Sequence, residues 1–362
     1  MDIVETPKRV IRFIRETWKT PYPRLAYISG WLGHQNLGDE VLPYAMADLF
    51  RPFSLMHFEG ERSVAYINQW THSVSGGVLA GGTLINAGGG FLEHMEKSTR
   101  LLPSTFVFGS GVRDPNFWQQ YGDWKDNRRQ WQDVLKRCEF VGVRGPLSAG
   151  LLADVGVSAE IVGDPVLAFF DESRETSLQD AEVHLGLNIG QSLGRVWGSE
   201  EHIARQYSIL ARKAREMGWR VTWFVVWPED LDVTKRVAEE SGTADSIFAE
   251  YYSSERYIEK ARRMTLFVGM KLHATILAIC ACVPSLMIEY RPKCRDFMQS
   301  INQDDAIIRS DVFQGAQVVE TLQAWLGGIA SRHAILRKEV RFLAAKQRQT
   351  AREIAARLLE RR

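Results

Sequence analysis

Short apolar runs that stop at glycine alternate with longer stretches of helical periodicity along almost the whole chain. Leu25–Ser29 stops at Gly30, Leu84–Ala87 at Gly88, Thr105–Phe108 at Gly109 and Phe140–Val143 at Arg144. Each reads as a buried strand. Pro146–Asp154, with proline at its opening, reads as a helix. Glu160–Val162 runs into Gly163-Asp164-Pro165, and a polar stretch follows at Asp171–Asp180. The pattern then restarts. Strands are expected at His184–Ile189, Val221–Val226, Leu266–Val268 and Ser285–Ile288. Helices are expected at Glu200–Met217, through Ile258–Met264, at Thr275–Cys282 and at Val318–Trp325. Such alternation builds parallel sheets with helices on both faces. The expected fold is α/β, with two doubly wound domains at 25–175 and 181–328, preceded by a basic helix at 1–24 and followed by another at 329–362.

Ligands of open parallel sheets bind beyond the carboxyl ends of the strands, and the glycine clusters fall there. Gly30, Gly33 and Gly38 follow the first strand, with Asn36, Asp39 and Glu40 beside them; Gly88, Gly89 and Gly90 follow a second strand, Gly109 and Gly111 a third. The spacing Gly30-x-x-Gly33-x-x-x-x-Gly38 is neither the dinucleotide fingerprint nor a P-loop. Gly269 lets the chain turn out of a strand. Lys271 and His273 then open a helix, whose unpaired N–H groups and positive end favour an anion. That element is either a titratable group beside a phosphate-sized pocket or a helix cap with a solvated lysine. Asp39 and Glu40 either bind substrate or cap the helix after them. Asp164 either lines a cleft or marks an ordinary Asp-Pro turn. Trp223 and Trp227 serve core packing or sugar stacking, and His34 and His94 read as structural or surface residues.

Composition narrows the classes. The chain has 362 residues, 45% of them hydrophobic, enough for sizeable cores. No run of about 18 apolar residues could span a bilayer, and Lys8, Arg9, Arg12 and Arg15 interrupt any signal-peptide core. Cys138, Cys280, Cys282 and Cys294 form no C-x-x-C pair. A reduced, cytoplasmic protein without a metal site is expected. The net charge of +1 conceals +7 in residues 330–362 and +2 in residues 1–20, around a body of −8. An acidic body argues against nucleic acid as a partner. Val10, Ile11, Ile14 and Trp18 recur at helical spacing among basic residues, as do Leu336, Val340, Leu343, Ile354 and Leu358. These basic amphipathic ends either dock on an anionic membrane surface or pack on the domains and expose a basic face.

One ordered set of short elements resembles the polysaccharide pyruvyl transferases. It comprises Gly30-Trp31-Leu32-Gly33-His34-Gln35-Asn36-Leu37-Gly38-Asp39-Glu40, Asn86-Ala87-Gly88-Gly89-Gly90-Phe91-Leu92 and Val143-Arg144-Gly145-Pro146-Leu147-Ser148. Gly163-Asp164-Pro165, Gly269–Ala274 and Glu289-Tyr290-Arg291-Pro292-Lys293 complete it. The resemblance implies two Rossmann-like domains facing a cleft, similar to GT-B glycosyltransferases. It implies transfer of a pyruvyl group from phosphoenolpyruvate to two hydroxyls of one sugar, as a cyclic ketal, in polysaccharide or exopolysaccharide biosynthesis. Phosphoenolpyruvate is then a donor substrate and no cofactor is needed. The acceptor is a sugar or glycan, free or lipid-linked, and a lipid-linked one would suit an enzyme at the inner face of the membrane.

By the family pattern Arg144 and Lys271 serve the donor, and His273 has the intrinsic pKa of a proton donor or base. Asn36, Asp39, Glu40, Gly89, Gly90, Asp164, Tyr290 and Lys293 are candidates for substrate binding. The family's commoner residue at 271 is arginine; lysine keeps the charge but not the two-pronged grip. Two other readings fit the same architecture: a GT-B glycosyltransferase using a nucleotide sugar, and a non-catalytic carbohydrate-binding protein.

Overall fold

A computed structural model describes residues 23–361, apart from 29, 31, 58–73, 87, 89, 122–125 and 175–181. The expected N-terminal helix and Gly89 therefore lie outside the described residues. The strands of the first sheet are β1 (Arg24–Ile28), β2 (Ser54–His57), β3 (Val74–Ala80), β4 (Thr105–Ser110), β5 (Phe140–Val143) and β6 (Glu160–Ile161). Those of the second are β7 (His184–Asn188), β8 (Arg220–Val225), β9 (Ile247–Ala249), β10 (Leu266–Gly269), β11 (Ser285–Glu289) and β12 (Ile307–Arg309). The orders are β2-β1-β3-β4-β5-β6 and β12-β11-β10-β7-β8-β9, and the paired neighbours run parallel. In each sheet the order reverses direction once, between β1 and β3 and between β7 and β10. Those reversal points are where such sheets open a ligand crevice.

The central strands are mostly apolar, as expected for strands covered on both faces: β1, β4, β10 and β11 are buried at every position, with polar residues only at their ends. Four strands escape the apolar pattern. β2, β9 and β12 are short edge strands with polar or part-exposed residues. β3 is central, but its sequence, Val74-Ser75-Gly76-Gly77-Val78-Leu79-Ala80, reads as a turn. Its glycines answer crowding: a Cβ at Gly76 would lie 2.9 Å from the Ser104 carbonyl oxygen, and one at Gly77 would lie 2.8 Å from Leu102. Of the strand expected at Leu84–Ala87, the described residues Leu84–Asn86 form instead a loop after β3, joined to Val112 by a bridge at Ile85, with Asn86 at φ 63°. The helix expected at Thr275–Cys282 is Leu272–Cys280, and Cys282 already leaves the helical region at φ 60°.

The two halves share their cores. The cluster around Leu187, Trp223 and Phe267 extends to Leu37, Val41, Val166 and Leu167 from the first half. The final helix, Ile329–Glu360, packs across both: Leu336, Val340 and Leu343 join that cluster, while Ile354, Ala355 and Leu358 join the one around Leu25, Phe106 and Phe108. Its buried apolar stripe packs on the protein, while Ile335, Phe342 and Leu359 stand exposed among the basic residues of its outer face. Gln347, in its middle, donates from Nε2 to the carbonyls of Val162 (3.0 Å) and Asp164 (2.9 Å) and so fastens the loop that carries Asp164. Among the described residues no helix is long and apolar enough to cross a membrane.

Polar clasps hold the carboxyl ends of the sheets face to face. The Leu37 N–H donates to the Val226 carbonyl at 2.8 Å. Ser148 donates to Asp296 twice, from Oγ at 2.6 Å and from N at 3.0 Å. Gly145 is required beside that clasp, because a Cβ there would lie 1.8 Å from the Asp296 carbonyl oxygen.

Candidate active site

Between the sheets lies a cleft with two lobes of about 350 and 300 Å³. The first lobe is built on the ends of β1, β3, β4 and β5 and is lined by Gly30, Gly82, Thr83, Arg113 and Arg144. The second rests on the ends of β7, β8, β10 and β11, with Gln191, Ser192, Trp227, Lys271 and Tyr290. Asn36, Asp39, Trp118, His273, Arg291 and Lys293 line both lobes. The cleft therefore sits on both reversal points.

His273 occupies the junction. It lies in the first turn of the helix Leu272–Cys280, which has no side-chain cap. Its ring lies against Gly38: a Cβ there would meet His273 Nδ1 at 2.0 Å. Its Nε2 is buried without a hydrogen-bond partner and faces Asp164 Oδ2 at 3.7 Å. Asp164 is 0% exposed. Its Oδ2 accepts from Arg144 Nε at 3.0 Å and its Oδ1 from the Val166 N–H at 3.1 Å. Burial alone would raise the Asp164 pKa; the neighbouring His273 and Arg144 outweigh it and hold the carboxyl at about 2. The carboxylate is therefore ionised behind the imidazole, where it orients the ring. Asp164 lines neither lobe and acts through its neighbours.

Arg144 is 1% exposed. Besides Asp164 it donates to Thr83 Oγ1 at 3.2 Å and to the Gly82 carbonyl. Three of its five N–H groups are thus engaged and two remain for the first lobe.

Lys271 has no such freedom. Its Nζ donates to the Gln191 carbonyl at 2.5 Å and pairs with Asp230 Oδ1 at 3.1 Å, 4.9 Å from the centre of the Trp227 ring. Asp230 is 0% exposed, and burial, offset in part by Lys271, pushes its carboxyl up to about 6. Lys293, by contrast, has no ion pair or hydrogen bond among the described residues. Its Nζ lies 5.1 Å from the centre of the Tyr290 ring.

The remaining candidates divide. Asn36 caps its helix, its Oδ1 accepting from the Gly38 N–H at 3.3 Å, and still lines the cleft. Asp39 presents a carboxyl that burial raises above the usual range against the lowering charges of His273 and Lys293. Glu40 lies outside both lobes: its Oε1 accepts from the Gly33 and Gln35 N–H groups at 2.8 and 3.0 Å, which fixes the loop. Gly90, at φ 79°, starts the helix Phe91–Leu101, whose first residue reaches the first lobe. Tyr290 is a buried wall of the second lobe, its hydroxyl pushed up to about 12 by burial. Trp223 is a core residue whose Nε1 donates to Thr243 Oγ1 at 2.9 Å. Trp227 instead faces the cleft and donates to the His34 carbonyl at 3.1 Å.

Sequence reasoning missed the residues around Trp118. Arg113, Arg195 and Arg291 surround its ring, 3.6, 5.6 and 5.4 Å from the centre. Arg291 also donates to the Arg195 and Ser192 carbonyls at 2.8 and 2.9 Å. Neither the spacing nor the composition near Trp118 signals this, because its partners come from both halves of the chain.

Two parallel sheets meeting across a cleft at their reversal points define a two-domain Rossmann-like protein of the GT-B type. Solved structures agree. A glycosyltransferase from Rickettsia africae gives a TM-score of 0.60 at 11% identity, over 93% of this chain and 98% of that one. The UDP-GlcNAc 2-epimerase from Neisseria meningitidis gives 0.57 at 9%, over 94% and 100%. UGT2 of Phytolacca americana gives 0.53 at 10%, also over 94% and 100%. At these identities the likeness is one of fold. A search of curated proteins found no match. Residues 36–292 match the polysaccharide pyruvyl transferase family, and the chain belongs to it.

Proposed function

We propose that the cleft moves a pyruvyl group from phosphoenolpyruvate onto two hydroxyls of one sugar in a glycan, closing a cyclic ketal. The observation that carries this reading is His273 at the meeting of the two lobes, backed by ionised Asp164 at 3.7 Å and surrounded by cations. A charged imidazole is a proton donor of suitable strength near neutral pH. His273 protonates the methylene carbon of the donor, and the adjacent carbon gains oxocarbenium character. One sugar hydroxyl attacks that carbon, phosphate departs with its C–O bond, and the second hydroxyl closes the ring. Of the two hydroxyl protons, one replaces the proton now in the methyl group and the other leaves with hydrogen phosphate. Atoms and charge balance with no oxidant.

Arg144, with its two remaining N–H groups, faces the donor or its departing phosphate from the first lobe. Asn36 and Trp227 supply an amide and an aromatic face for the sugar. The test is mass spectrometry of a panel of glycans incubated with the enzyme and phosphoenolpyruvate. One glycan should gain the mass of a single pyruvyl ketal, and folded His273→Ala should abolish the gain. Transfer from a nucleotide sugar in place of phosphoenolpyruvate would overturn the reading.

A further inference from the structure

Lys271 and Lys293 lie at the helix starts of successive strand–helix units, Lys271 as the N-cap of its helix and Lys293 two residues after the N-cap Arg291. The first follows β10 and precedes the helix Leu272–Cys280; the second lies in the first turn of Pro292–Ser300, after β11. Their surroundings differ in one decisive respect. Lys271 is matched by a carboxylate that is itself wholly buried, and its Nζ also bonds the Gln191 carbonyl. A matched pair carries no net charge, so it offers an anionic ligand little attraction. Lys293 lines both lobes and has no ion pair or hydrogen bond among the described residues.

We infer that Lys293 holds the anionic end of the donor and that Lys271 is a structural partner of Asp230 rather than a donor ligand. This rests on the pyruvyl-transfer reading of the cleft.

Three further observations point the same way. The helix Pro292–Ser300 has no side-chain cap, so the positive end of its dipole, in whose first turn Lys293 lies, is not offset by a capping side chain. Arg291, its N-cap, commits two of its five N–H groups to the Arg195 and Ser192 carbonyls, whereas the Lys293 ammonium commits none among the described residues. Burial, and then the charge of Arg291, push the Lys293 ammonium down to about 8. The other groups that face it are Cys294 on its own helix, Asp39 from Leu37–Glu40 and Arg144 after β5. The protein thus leaves this cation short of counter-charge, and a bound carboxylate or phosphate supplies it.

The test is calorimetry of phosphoenolpyruvate binding to the full chain at pH 7 and low salt. Lys293→Met should weaken binding roughly tenfold to a hundredfold, the range of one charge-assisted contact. Lys293→Arg should stay within a few-fold of wild type. The double variant Lys271→Met/Asp230→Asn, which removes the matched pair together, should also stay within a few-fold. Retained affinity in Lys293→Met, or a tenfold loss in the double variant, overturns this inference while leaving the functional reading intact. No binding by the wild type overturns the functional reading itself. Should Lys293→Met not fold, proton uptake decides. At pH 8 wild-type binding should take up a fraction of a proton, measured in two buffers of different ionisation enthalpy, and Lys293→Arg should abolish that uptake. Wild-type binding without uptake refutes the role of Lys293.

Discussion

Removing the Lys271 ammonium should cost stability, in a way that depends on pH. In the wild type, burial raises the Asp230 pKa to about 6, against about 3.9 in the unfolded chain. A raised carboxyl pKa means that the folded state holds its proton longer. The contribution of Asp230 is therefore complete below about pH 4 and lost as pH rises through about 6, a change of about 3 kcal/mol. Lys271 limits that loss by pairing with the carboxylate at 3.1 Å. In Lys271→Met the carboxyl has no partner cation and stays protonated at pH 7, so the loss continues above pH 6. The additional cost by pH 7 is one further pH unit, about 1.4 kcal/mol. The lost hydrogen bond to the Gln191 carbonyl adds about 1–3 kcal/mol. Urea unfolding should therefore show Lys271→Met less stable than wild type by about 2–4 kcal/mol at pH 7, and by about 1.4 kcal/mol less than that at pH 5. Adding Asp230→Asn should abolish the pH dependence between pH 5 and 7, because an amide still accepts from the Gln191 N–H but does not titrate. A loss below about 1 kcal/mol at pH 7, or a pH slope that survives Asp230→Asn, would refute the reasoning.

Two further outcomes follow from the histidine cluster. Gly38→Ala places a methyl group 2.0 Å from His273 Nδ1 and 2.6 Å from its Cβ, so the ring must leave Asp164; turnover should fall at least tenfold while donor affinity by calorimetry changes little, and unchanged turnover would contradict the placement of the ring. Asp164, held at about 2, stabilises the fold above about pH 4 and loses that contribution as pH falls through about 2; Asp164→Asn should therefore lose about 2.5 kcal/mol relative to wild type at pH 7 and progressively less towards pH 2, and a gap that is constant with pH would show that the carboxylate is not stabilised there.

The alternation of apolar runs was enough to anticipate two parallel sheets, because central strands buried on both faces must be apolar. It missed what packing and position decide. β3 hides because close neighbours require Gly76 and Gly77, and the edge strands hide because half of each faces solvent. Arg144, His273, Asn36, Asp39, Tyr290 and Lys293 were legible because they stand at strand ends or in short ordered elements. The structure brings them to one cleft or its walls. Glu40 was legible as chemistry but serves its own loop. The opposite fates of Lys271 and Lys293 were not legible, because Asp230, which decides the matter, comes from another strand–helix unit. The clasp of Ser148 on Asp296 spans 148 residues of sequence, beyond the reach of any local pattern.

The most direct test of the central claim is the fate of solvent hydrogen. The reaction is run in heavy water with phosphoenolpyruvate and the accepting glycan, and the methyl group of the product is read by NMR. Protonation of the donor's methylene carbon from His273, which exchanges with solvent, should place one deuterium in each ketal methyl group, and folded His273→Ala should form no ketal. A ketal whose methyl group carries no deuterium, or a product that keeps the donor's methylene, would contradict the account.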